Sequence, residues 1–108
     1  MRTYIVRMEH PDGEGWNKHV YAHVCYLKEL IAEGRILASG PLKGTALRAG
    51  FLIVAAEDRD QVEGLVAEDP FTKDGLIHKL TIEEWDPLFG MFADRSSKQP
   101  PPELASLI

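Results

Sequence analysis

The sequence predicts an α+β fold in which one antiparallel sheet carries two helices on a single face, and three observations predict it. Apolar and polar residues alternate at the start of the chain and then recur at helical spacing over residues 20–34, so a strand leads into a helix. The run "FLIVAA", residues 51–56, is continuously apolar, short and β-branched, as a buried strand should be. A second helical pattern and a last alternating segment then complete the order βαββαβ. That order favours a ferredoxin-like antiparallel sheet with both helices on one side.

Each element has its own signal. Residues 3–9 put Tyr4, Val6 and Met8 on one side of a strand and Ile5 on the other, and the turn residues of "HPDGEGW" end it. Asn17 is positioned to cap a helix running to about Glu33, where Gly34 offers a left-handed stop. "RILASG" reads as the second strand, and residues 40–50 as the long loop of a hairpin that returns through residues 51–56. In the returning strand Phe51, Ile53 and Ala55 point one way, and Leu52, Val54 and Ala56 the other. Asp58 and Gln61 have capping-box spacing and open a helix with Val62, Leu65 and Val66 on its buried side, ending before Pro70. "DPFTKDG" reads as a loop, and "LIHKLTIEEW" as the last strand, with Leu76, His78, Leu80 and Ile82 sharing a face. Residues 94–108 are proline-rich and lack a core pattern. The expected division is therefore a domain over residues 1–93 and a C-terminal tail over 94–108, with Leu104, Leu107 and Ile108 available to dock on a neighbouring subunit.

A chain of 108 residues, 44% hydrophobic and 27% charged, suffices for one domain with a modest core. Its net charge of −5, with no basic run, argues against nucleic acid or an anionic membrane surface as partner and points to a small molecule. Cys25 is the only cysteine, which excludes an internal disulfide and a cysteine zinc cluster and suits a reducing cytoplasm. The start "MRTYIVRMEH" lacks the apolar core of a secretory signal, and no apolar run approaches the roughly 20 residues that span a bilayer. Two helices cover only one face of a sheet whose strand at residues 51–56 is apolar on both. A second copy packed face to face on the other side is the expected solution, a homodimer.

Within "VYAHVCYLKELIAEG", His23 heads an apolar stripe continued by Leu27, Leu30 and Ile31. In the βαββαβ topology the start of the first helix lies at the end of the sheet where the second helix delivers Asp69 and where the loop of residues 40–50 closes. A carboxylate near a helix C-terminus opposes the helix dipole at a cost of a few tenths to ~1 kcal/mol, and a nearby imidazolium would offset it. One carboxylate orienting one imidazole is an arrangement suited to general acid/base chemistry. Other readings stay open. A histidine on an apolar stripe is often a hydrogen-bonded core residue, and an aspartate before proline often bonds its own backbone. His19 and His23 stand at i,i+4 and could chelate a metal, although no third ligand is evident. His10 and His78 read as structural or exposed. Cys25 lies about 200° around the helix from His23, too far round for a Cys–His nucleophile pair. Trp16, Tyr26, Phe71, Trp85 and Phe89 could wall an aromatic-sized pocket.

The stretch "HVCYLKELIAEGRILASGP", followed about thirty residues later by "EDPFTKDGLIHKLTIEEW", resembles the YCII-related family: a helix histidine, a Gly-Pro after the second strand, and an Asp-Pro-aromatic motif before the last. The resemblance covers about residues 4–90. It implies a dimeric α+β barrel with a histidine–aspartate site, carried over to His23 and Asp69. Gly40-Pro41 reads first as a turn and second as a wall of that site, and Phe71 is a further substrate-binding candidate. Many relatives have an arginine three residues before the histidine, where this chain has Val20; Lys18 or Arg48 could take its place, and Arg48 is the substrate-binding candidate. The resemblance also implies an activity: one characterised relative is a dehydrochlorinase of a chlorinated hydroxyhydroquinone, and broader cousins include muconolactone isomerases.

The expectation is therefore an acid/base lyase or isomerase of small oxidised or halogenated aromatics, with His23 as base and Asp69 steadying its imidazolium, and with no metal or redox cofactor. The rival expectations are a non-catalytic dimer that binds a small metabolite, and an interaction module whose proline-rich tail recruits a partner.

Overall fold

The computed structural model describes residues 1–11 and 13–107. The docking expected of Ile108 and of the Leu107 side chain lies outside what is described. The chain forms β1 (Arg2–His10), α1 (Glu14–Ala32), β2 (Ile36–Leu42), β3 (Arg48–Ala56), α2 (Arg59–Ala67), a short α3 (Pro70–Lys73) and β4 (Lys79–Trp85). The strands make one four-stranded sheet in the order β2-β3-β1-β4, with each neighbouring pair antiparallel. This is the ferredoxin-like α+β arrangement that the element order predicts.

Register explains the core. Tyr4 stands opposite Val54, and Val6 opposite both Leu52 and Ile82, so one face of the sheet gathers Tyr4, Val6, Met8, Leu52, Val54 and Ile82. Leu27 and Leu30 of α1 and Val62, Leu65 and Val66 of α2 are buried on that face. Each large aliphatic side chain removed from water contributes roughly 1.5–3 kcal/mol, an upper figure because an unfolded chain already hides some surface. Two hydrogen bonds set the layers. The Tyr26 hydroxyl donates to the Leu65 carbonyl at 2.7 Å, joining α1 to α2, and Arg59 Nη1 donates to the Ile82 carbonyl at 2.7 Å, joining α2 to β4.

Several local expectations change. Asn17 is not the cap of α1; the helix begins at Glu14, and the Asn17 N–H already donates to the Gly13 carbonyl at 3.2 Å. Gly15 permits that earlier start, since a β-carbon there would sit 2.8 Å from Leu76 Cδ2. Gly34 ends α1 as expected, at φ +76°, with its N–H donating to the Ile31 carbonyl. Asp58 caps α2 by accepting from the Gln61 N–H, while the Gln61 side chain reaches back to the Glu57 N–H, one residue earlier than in the usual capping box. The loop expected over residues 40–50 is shorter, because Gly40 and Pro41 belong to β2 and Arg48, Ala49 and Gly50 to β3. "DPFTKDG" is not a loop throughout: Asp69 caps α3, with Pro70 at its first turn. The last strand starts at Lys79, so Leu76 and His78 precede it, and Leu80 is 39% exposed.

A shift of register in β2 between Ile36 and Ala38 decides what that edge strand presents. After it, Ser39 stands opposite Leu52 and Pro41 opposite Gly50, which turns Ser39 and Pro41 toward the helix face. On the far face Thr3, Ile53 and Ala55 are nevertheless buried. There Phe92 meets Trp85 edge-on at 6.4 Å. Ser97 donates from its backbone N–H to Asp86 Oδ1 at 2.9 Å and from its hydroxyl to Oδ2, and these bonds hold the Asp86 carboxyl below its ordinary value. Beyond it the chain forms 3-10 turns at Ala93–Arg95 and Pro102–Leu107.

Candidate active site

His23 lies on the buried stripe of α1, one helical turn before Leu27, and only 9% of it is exposed. Asp69 is reached from the other side, two residues after α2, and is 1% exposed. Its carboxylate meets His23 Nδ1 at 3.0 Å through Oδ1 and 2.8 Å through Oδ2. Oδ1 also accepts from the Phe71 N–H at 2.9 Å. The sequence left open whether Asp69 holds the histidine or turns its own backbone, and it does both. Its helix environment is also more favourable than expected: the carboxylate stands at the start of α3, where it satisfies an N–H, and not simply at the end of α2. With the carboxylate accepting, Nδ1 of His23 is the donor, and Nε2 carries the lone pair. A charge-assisted bond of this kind contributes about 1.5–3 kcal/mol.

His23 opens onto a cleft of about 350 Å³ between α1 and the β2–β3 end of the sheet. Val20, Val24 and Ile31 form its helix side, and Ser39, Gly40, Pro41, Ala49 and Gly50 its strand side. At the His23 end the wall is aromatic. The Trp16 and Phe71 rings stack at 5.1 Å and 16°, Phe71 lies 4.5 Å from His23, and His10 lies 4.4 Å from Phe71. The Arg48 guanidinium sits over Trp16, 4.8 Å from the ring centroid.

The expected site residues therefore fall in three places. His23, Gly40 and Pro41 line the cleft. Asp69 and Phe71 stand behind it: Phe71 is fully buried and packs beneath the rings of His10, Trp16 and His23, so it supports the wall and is not itself the contact surface. Arg48 is exposed at the rim on Trp16. Val20 lines the cleft, while Lys18 is exposed and does not; among the described residues the cation on the lining is Lys28. Cys25 is exposed, away from the cleft. His19 pairs with Asp74 and not with His23, and among the described residues no group of three His, Cys, Asp or Glu side chains could hold a metal.

The residue the sequence reading set aside is His10. It is 2% exposed, lines the cleft and stands 6.0 Å from His23, ring centroid to ring centroid. Its Nδ1–H donates to the Leu76 carbonyl at 2.9 Å. Burial, the largest influence, pushes its imidazole below the ordinary histidine value, against the opposing pull of that carbonyl. A signal was present: His10 continues the alternation of Tyr4, Val6 and Met8, so a strand one residue longer places it on the helix face.

A buried imidazole held by a buried carboxylate, at one end of an open and mainly apolar cleft, defines a small ferredoxin-like protein with the parts of an acid/base pocket. The chain belongs to the YCII-related family, since the model of the YCII-related domain matches residues 1–86. Among solved structures it is similar to the 5-chloro-2-hydroxyhydroquinone dehydrochlorinase TftG from Burkholderia phenoliruptrix, in complex with 2,5-dihydroxybenzoquinone. That match has 29% identity and a TM-score of 0.67, and covers 78% of this chain and 93% of the other. A protein of Arabidopsis thaliana also matches, at 12% identity and a TM-score of 0.47, over 84% of this chain and 99% of the other. Among curated proteins none matches. Among the described residues no helix is long and apolar enough to cross a membrane.

Proposed function

We propose that the chain is an acid/base lyase that eliminates HCl from a chlorinated, hydroxylated aromatic of the hydroxyhydroquinone type. The observation that carries this reading is the doubly held His23 Nδ1, which leaves Nε2 as the base at the wall of a cleft large enough for one substituted ring. The similarity to the dehydrochlorinase supports the choice of substrate.

The steps balance without a redox partner. His23 Nε2 takes the proton of the hydroxyl beside the chlorine-bearing carbon and delivers it to that carbon, so a carbonyl forms and the carbon becomes tetrahedral. A second hydroxyl then loses its proton to His23, its electron pair shifts through the ring, and chloride leaves. The product is a hydroxylated quinone, and HCl is the only material lost. Asp69 acts through His23: it keeps the ring oriented and balances the charge when the ring carries the proton.

The same reading takes a homodimer as the working unit, supported by the apolar side chains that Ile5, Phe51 and Ile53 place on the sheet face opposite the helices. It also places the chain in the cytoplasm, supported by its single, exposed cysteine. The test is chloride release and quinone absorbance with purified protein and a chlorinated hydroxyhydroquinone. Turnover by the native chain and none by His23→Ala is the expected result; tight binding of the aromatic without turnover would replace the enzyme by a binding protein.

A further inference from the structure

We propose that His10 is a second substrate-contacting group of this site, a hydrogen-bond acceptor that reads a ring hydroxyl, so that the site selects aromatics carrying hydroxyls for both His10 and His23. The inference rests on the aromatic-substrate reading above and adds to it the residue that decides which aromatics fit.

Geometry carries it. His10 ends β1, is almost wholly buried, and still lines the cleft. Its Nδ1–H is committed to the Leu76 carbonyl, so a neutral ring has one remaining polar atom, the Nε2 lone pair, which has no partner among the described residues. Because His10 lines the cleft, that lone pair is an acceptor available to a donor bound there. Among the described residues, the titratable or charged groups facing it are His23 from α1, Asp69 behind His23, and Arg48, its register partner on β3. Burial and the neighbouring His23 both disfavour a second imidazolium, so the ring stays an acceptor while His23 carries the moving proton. The rings stand 6.0 Å apart at 64°, close enough for a single six-membered ring to reach both.

The loop that holds Asp69 also holds His10. The Phe71 N–H donates to Asp69, the Leu76 N–H donates to the Phe71 carbonyl at 2.7 Å, and the Leu76 carbonyl accepts from His10. The two imidazoles are therefore positioned by one short segment and stand at a set separation, as reading two groups on one ring requires.

The experiment compares binding of hydroquinone and of phenol, whose hydroxyls stay protonated at neutral pH and can donate, to the native chain and to His10→Asn. Asparagine can keep a donor for the Leu76 carbonyl while deleting Nε2. The native chain should prefer the dihydroxylated probe by about tenfold or more, and His10→Asn should lose that preference while binding the monohydroxylated probe as before. A variant that keeps the preference overturns the role of His10 and leaves the aromatic site standing, and an equal loss for both probes overturns it in favour of a purely structural histidine. If the native chain binds neither probe, the aromatic-site reading falls and this inference with it. Nitrogen-15 spectra of the native histidines provide the measurement that needs no variant: His10 Nε2 should shift with the dihydroxylated probe, and a signal that does not move overturns the proposal.

Discussion

His23 and His10 are held through the same ring nitrogen by unlike partners: Nδ1 of His23 faces the Asp69 carboxylate at 2.8 Å, and Nδ1 of His10 faces the Leu76 carbonyl at 2.9 Å. A carboxylate can balance an imidazolium and an amide carbonyl cannot, so the roles proposed for two chemically identical side chains differ.

Removing either member of the His23–Asp69 pair tests the first task. His23→Ala should abolish turnover. It should also lower stability by about 1–3 kcal/mol, because it leaves a buried carboxylate with one remaining hydrogen bond. Asp69→Asn keeps the shape but offers an N–H to Nδ1, which favours the tautomer with the proton on Nε2. Turnover should fall by about 10²–10⁴ with little change in KM. Rate and melting temperature measured together decide this: a folded variant of either kind with normal kcat would end the catalytic assignment.

For His10 the prediction concerns pH. Burial lowers its proton affinity in the folded chain, so the unfolded chain takes up the proton first, at the ordinary value of about 6.5, as pH falls. The stabilisation due to neutral His10 should be complete above about pH 6.5 and be lost as pH falls from there through the lower folded value. Melting curves from about pH 8 to about pH 5 should show a smaller acid-side loss for His10→Asn than for the native chain; parallel curves would refute the assignment.

A dimer should persist at micromolar concentration, because Ile5 and Phe51 are only half-buried on the helix-free face and would otherwise meet water there. Phe51→Glu should dissociate it. Sedimentation of the native chain as a stable monomer would remove the argument.

Truncation after Ala93 tests the expected division at residue 93. It removes the exposed Ser97 bonds to Asp86 but keeps Phe92 against Trp85, so the melting temperature should change little. Truncation after Asp86 should cost more, since it also removes Phe92. A large drop in the first variant would make residues 94–108 part of the packed structure.

The sequence alone determined the layers and the principal pair. Strand alternation, the apolar stripe from His23 to Leu30, the two-sided run of residues 51–56 and the stop at Gly34 are local patterns with periods of two or 3.6 residues, and such patterns report burial directly. Topology then brought His23 and Asp69 to the same end of the sheet. Tertiary structure decided what depends on contacts between distant segments. The Asp-Pro-Phe stretch became a capped helical turn because Asp69 found both the Phe71 N–H and His23. A register shift in β2 turned Ser39 and Pro41 to the cleft, and nothing in the local sequence marks it. His10 faces the cleft in an orientation set by the Leu76 carbonyl, sixty-six residues away, which accepts from its Nδ1. Periodicity assigns a residue to a face, but the partner it meets there is set by loops that fold back from elsewhere, and that partner determines the chemistry.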